Sequence, residues 1–154
     1  MAINALRFEV SDENVEVVHI YFDYKAHQSQ TALSVATSLL KQLLIRLDFI
    51  PQELESMYST NTKLNMATCK AMLFQCARKV GTIYAVFDAV DECNETNFTE
   101  ILEFLAHFQN SFKILLSTRP RRESLPVRLF PIFSHCIIVL SPTNSKTLTE
   151  VVSV

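Results

Sequence analysis

The chain has 154 residues, about half of them apolar, with a charged fraction of 19% and a net charge of -2. This describes one globular domain able to bury a core; it excludes a disordered polyelectrolyte, and Arg119, Arg121 and Arg122 are too few for a nucleic-acid-binding stripe. Gly81 is the single glycine, where about eleven would be usual, so neither a phosphate-wrapping loop nor a dinucleotide fingerprint can be built within this chain.

The elements follow in chain order. Residues 15–22 (VEVVHIYF) form a β-branched and aromatic run that predicts a strand. Leu33, Ala36, Leu40, Leu43, Leu44 and Leu47 then recur at helical spacing, predicting a helix over 30–47 with Ser29 or Thr31 as its cap. Pro51 suits the first turn of a short helix running to Tyr58. Residues 61–65 read as a loop. Met66, Cys69, Leu73, Cys76 and Val80 predict a helix over 66–79, with Arg78 and Lys79 at the negative end of its dipole. Gly81 follows directly and is expected to be a left-handed helix stop.

Residues 82–88 (TIYAVFD) are apolar on both faces, the pattern of a strand inside a parallel sheet. Phe98, Ile101, Leu102, Leu105 and Phe108 mark another helix; 112–117 (FKILLS) and 135–140 (HCIIVL) predict two more strands. An arginine-rich connection with Pro120 and Pro126 separates those two, and 141–154 reads as a polar C-terminal tail. Alternating strands and helices imply a three-layer, parallel α/β domain.

No CxxC pair joins Cys69, Cys76, Cys93 and Cys136, so zinc and thioredoxin-like sites are not expected; Cys69 and Cys76, seven apart, read as small buried residues on one helix face. His19 and His135 fall within strands and read as packed; His27 and His107 read as solvated. The N-terminus has no basic stretch followed by an apolar run, and no apolar run approaches the ~18 residues of a membrane span. The expectation is a cytoplasmic chain with reduced thiols and no membrane partner.

In open parallel sheets, ligands bind beyond the carboxyl ends of the strands. Two polar clusters fall there. Asp88, Asp91 and Glu92 follow the buried strand in the run DAVDE. An acid at the end of such a strand can hold Mg²⁺, commonly through water, while the metal neutralises phosphate charge. Acids three and four residues on can orient or deprotonate a water. The alternative reading is an acidic turn favouring the N-terminus of the next helix. The second cluster is Ser117-Thr118-Arg119-Pro120, where an arginine can contact a γ-phosphate or simply begin a solvated loop. Cys93, beside acids that raise a thiol's pKa, reads as unreactive.

The run IYAVFDAVDEC resembles the extended Walker B motif of NACHT-type NTPases of the STAND class, in the version found in fungal NACHT proteins and in nephrocystin-like N-terminal domains. FKILLSTRP resembles their sensor-1 strand, and HIYFDYKAHQSQTALSVATSLLKQLL the strand and helix that follow their P-loop region. The likeness is collinear over about 8–140, so 1–154 is expected to be a single, partial domain of this type: a P-loop-NTPase-like core without its P-loop strand. The resemblance implies Mg²⁺ and ATP or GTP as cofactors, with Asp88 linked to the metal, Asp91 and Glu92 to water activation, and Arg119 to the γ-phosphate. It implies a nucleotide-driven switch in signalling or fungal self-recognition, with protein partners or self-association and no nucleic acid. The chain begins in what resembles the tail of the P-loop helix (AINALRF), so the phosphate-holding lysine and Ser/Thr are absent from it. It is therefore expected to bind and hydrolyse no nucleotide alone. The alternatives are a non-catalytic interaction module and an inactive truncated product. With the P-loop strand absent, the last strand is expected either to close up beside 112–117 or to leave an open apolar edge.

Overall fold

The computed structural model describes residues 14–26, 28–118, 136–140 and 150–153. In chain order these give β1 (Val15–Tyr21), α1 (Ala32–Leu47), α2 (Gln52–Ser59), α3 (Met66–Ala77), β2 (Thr82–Asp88), α4 (Glu95–Ala106), β3 (Phe112–Thr118), β4 (Cys136–Leu140) and β5 (Glu150–Ser153). The strands form one sheet in the order β1-β2-β3-β4-β5. The first four run parallel, and β5 is antiparallel to β4.

Three of the four helices, α1, α3 and α4, start where a side chain replaces a missing backbone acceptor. Thr31 Oγ1 accepts from the Ser34 amide at 3.2 Å, Asn65 Oδ1 from Thr68 at 3.0 Å, and Asn94 Oδ1 from Asn97 at 2.8 Å. Of the two candidate caps for α1, Thr31 holds the position, while Ser29 Oγ donates to the Ala26 carbonyl. Pro51 sits one residue earlier than expected, at the cap of α2. There its fixed φ still suits the entry and its missing N–H costs no hydrogen bond.

The core lies between the sheet and the helices. Val18, Ile83, Ala85, Phe87, Phe112, Ile114 and Leu116 share one sheet face and pack in one cluster with the buried stripes of α1, α3 and α4. Phe74, Phe104 and Phe112 each stack or tilt against Phe108, with ring centroids 4.5–5.2 Å apart. Cys69 and Cys76 are fully buried in this cluster, as their spacing suggested. Val17 and Val86 point to the opposite face and are also withdrawn from solvent. Tyr84 and Leu115 on that face are half-buried and Tyr21 and Lys113 exposed, so among the described residues the helix-covered face is the drier of the two.

Among the described residues, side chains rather than a strand meet the outer edge of β1. Gln42 on α1 accepts from the His19 amide at 3.0 Å and donates to the His19 carbonyl at 2.7 Å, so its amide acts as a one-residue strand. Arg46 pairs with Glu16 at 2.7 Å along the same edge.

Two expectations change and one open alternative is decided. Gly81 has no positive φ, so it is not a left-handed stop. α3 instead ends through Arg78, which keeps right-handed helical angles and donates its N–H back to the Phe74 carbonyl at 3.1 Å. What Gly81 provides is space: a Cβ there would meet Asn14 Nδ2 at 2.5 Å and Asn14 Cγ at 2.8 Å. That approach lets Asn14 Oδ1 accept from the Gly81 amide at 2.8 Å. Second, of the two fates open to the last parallel strand the first holds: it closes up beside β3, with Ile114 to Thr118 in register with Cys136 to Leu140. Third, the segment read as a polar tail contains β5, which covers the far side of β4.

Candidate functional site

The site grows out of β2. The strand is flanked on both sides by parallel partners, and its apolar residues from Ile83 to Phe87 leave only Tyr84 half-buried. Such a strand cannot shift without exposing its core, so it holds its last residue, Asp88, at a fixed point on the sheet's carboxyl edge. The Asp88 carbonyl accepts from the Phe22 amide at 3.0 Å, tying the ends of β1 and β2 together. The Asp88 side chain remains half-exposed.

The chain then turns sharply. Ala89 has φ 57° and ψ 44°, a left-handed conformation that costs a non-glycine residue about 1–2 kcal/mol. It leads into a single 3₁₀ turn, Val90–Glu92, closed by the Glu92 amide donating to the Ala89 carbonyl at 2.9 Å. Val90 is buried in the core, and its burial offsets the strain. The turn packs against β3.

The three carboxylates therefore lie in one short turn, but in different environments. Asp91 is only 5% exposed, whereas Asp88 and Glu92 are half-buried. Thr118, at the carboxyl end of β3, is 2% exposed; it and Asp91 are the buried polar side chains among the described residues. The edge thus combines a rigid inner layer, Asp91 and Thr118, with two acids that solvent reaches. Arg119, the fourth candidate, lies outside the described residues, as do His27 and His135. Among the described residues no group of three or more His, Cys, Asp or Glu is gathered as a metal cage.

Cys93 closes the turn half-buried, its thiol 4.0 Å from the Gln30 carbonyl. Burial pushes its pKa up, and a hydrogen bond with the Asn94 backbone opposes this in part. The rise comes from desolvation rather than from the neighbouring acids. His107 is exposed, as read, with Nδ1 2.7 Å from the Glu103 carbonyl.

Gln30 is a site residue that the sequence reading passed over. Its side chain donates to the Tyr21 carbonyl at 3.1 Å and accepts from the Asp23 amide at 3.3 Å. It holds the loop after β1 against the same edge. A lone glutamine before a helix carries no periodic or motif signal, so only the fold reveals it.

The family model described as Nephrocystin 3, N-terminal matches residues 1–119, which include every described element from β1 to Thr118. No curated protein and no solved structure matches the chain.

Proposed function

This chain belongs to the nephrocystin 3 N-terminal family, and from that premise we propose that it carries the acidic edge of a nucleotide-switch domain of the NACHT type. One observation supports this most: the left-handed Ala89 turn fixes Asp88, Asp91 and Glu92 at the carboxyl end of a strand buried inside a parallel sheet. That is where open α/β sheets bind their ligands.

In this reading Asp88, half-exposed at the strand's end, would hold Mg²⁺ through water. The bound metal would neutralise charge on the phosphates of ATP or GTP. Asp91 and Glu92 would orient the attacking water; solvent access favours Glu92 for proton transfer, and burial favours Asp91 for holding the turn's geometry. Arg119, directly after Thr118, would contact the γ-phosphate. The chain by itself would not hydrolyse nucleotide. Its one glycine cannot supply a loop of backbone amides, and bare carboxylates repel phosphate. Its setting would be the cytoplasm.

Calorimetry with Mg·ATP and Mg·GTP tests the reading. The chain alone is expected to give no binding heat, and micromolar binding overturns that expectation. Supplying an in-frame GxxxxGK[ST] segment from the upstream coding sequence, if one is present, is expected to restore binding that Asp88→Ala abolishes. Binding unaffected by Asp88→Ala would remove the metal-linked role.

A second reading is a non-catalytic association module, and one observation favours it. β3 pairs directly with β4, so in this chain the sheet is continuous where a phosphate-loop strand would insert. Failure to find the GxxxxGK[ST] segment upstream would select this reading.

A further inference from the structure

We infer that the C-terminal half of α1 is a self-association surface on which a second copy of this chain packs antiparallel about a two-fold axis. The inference is independent of nucleotide binding. Thr37, Lys41 and Ile45 succeed one another at helical spacing and, with Asp48, the left-handed cap that ends α1, line a groove of about 570 Å³ together with Phe49, Ile50 and Leu54. Ile45 is 71% exposed and Ile50 59% exposed on this surface. Lys79 Nζ lies 4.1 Å from the Phe49 ring centroid and covers that ring, leaving the two isoleucines as the uncovered apolar side chains.

Charge selects the occupant. Lys41 and Asp48 stand symmetrically about Leu44 and Ile45, three residues before the first and three after the second. An antiparallel copy placed on an axis between Leu44 and Ile45 sets Lys41 against the other copy's Asp48, twice, and Ile45 against Leu44. A two-fold interface requires this kind of self-complementarity. A parallel copy would set Lys41 against Lys41. Opposite charges at mirrored positions around an apolar centre therefore fit this chain better than an acidic or a basic partner.

The first test is zero-length carbodiimide cross-linking of a mixture of isotopically light and heavy protein. Within one chain Lys41 and Asp48 are ~10 Å apart along the helix axis, a span that an extended lysine and an aspartate can bridge, so only a light-to-heavy product reports pairing between copies. A dimer-sized product with a Lys41–Asp48 amide joining a light to a heavy chain is the expected result. Monomer at all concentrations, or linkage through other residues, overturns the inference.

Charge reversal supplies the second test, read by sedimentation. Lys41→Asp and Asp48→Lys are each expected to weaken association about tenfold or more. Mixed in equal amounts they restore it, because both cross-pairs are again opposite in charge. A mixture no stronger than either variant alone overturns the inference. Circular dichroism confirms that each variant is folded, and cross-linking of the unaltered chain decides if Asp48→Lys is not.

Discussion

Gly81 shows how a residue's role depends on what approaches it. A glycine after a helix suggests a left-handed cap, yet its φ is not positive and its missing side chain admits Asn14. The two roles predict opposite outcomes. If Gly81 merely followed the helix with ordinary angles, Gly81→Ala would stabilise the fold by about 0.4–1 kcal/mol by restricting the unfolded chain. With Asn14 in place it is expected to cost about 1–2 kcal/mol, since the methyl displaces the acceptor of the Gly81 amide. Urea denaturation of Gly81→Ala, Asn14→Ala and the double variant measures this. The double variant should lose less than the sum of the singles, because removing Asn14 relieves the crowding. Additive losses would show that the approach is not the constraint. The thiols give a second residue-scale prediction. Burial raises the pKa of Cys69, Cys76 and Cys93 above 9.0. The folded state thus favours the neutral thiol, and the resulting stability is fully present below the unfolded value. It is lost as pH rises through the folded values. The urea midpoint is expected to hold level from neutral pH and to fall above pH ~9. Cys76→Ala, though less stable overall, should fall less steeply there; an unchanged slope would mean that Cys76 carries none of the effect.

At the scale of elements, helical period was readable, caps only in part, and edge protection not at all. The stripe of leucines placed α1 and offered Thr31 as one of two caps, whereas the capping roles of Asn65 and Asn94 emerge only in the structure. Gln42 looked like one more polar residue on the outside of α1. Its role depends on β1 being an edge strand, which follows only from strand order. In a parallel sheet, the N–H and C=O of one residue point to the same side. Those of His19 point away from β2, and Gln42 satisfies both. Gln42→Ala is expected to cost about 1–3 kcal/mol, the penalty for two backbone groups losing their partners. Hydrogen exchange gives the sharper readout. The His19 amide should exchange faster in the variant, while the Ile20 amide, on the β2 side, keeps its protection. Equal acceleration at both would mean that the whole strand frays and that Gln42 does not act locally. The acidic turn divides the same way. Its carboxylates were readable from the spacing DAVDE after a buried strand. The left-handed Ala89 and the burial of Asp91 were not, because both depend on how the turn meets β3.

Across the whole molecule, the sheet's far end was the least readable feature and carries the largest consequence. Four parallel strands were expected from their apolar runs, and the fourth was left with two fates. β4 takes the first of these by pairing with β3, but a parallel strand at a sheet's end still presents one bare edge, which invites association. β5 covers it, pairing Glu150 to Ser153 with Leu140 to Ile137. Four residues with two adjacent valines give too short a pattern to predict a strand, and only the presence of an unpaired β4 makes the pairing favourable. Because β4 is paired on both sides, its amides at Ile137–Leu140 are expected to exchange slowly, as are those at Ala85–Phe87 in the doubly paired β2. Removing residues 150–154 should leave alternate β4 amides unpaired and fast, with the amides that face β3 still protected. The shortened chain should also aggregate more readily, through the β4 edge rather than through α1. Adding Lys41→Asp to it separates the two surfaces, since that substitution weakens pairing through α1 and leaves edge-driven aggregation unchanged. Fast exchange throughout β4 in the intact chain would show that the closing pair does not form, and the second fate, an open edge, would hold instead.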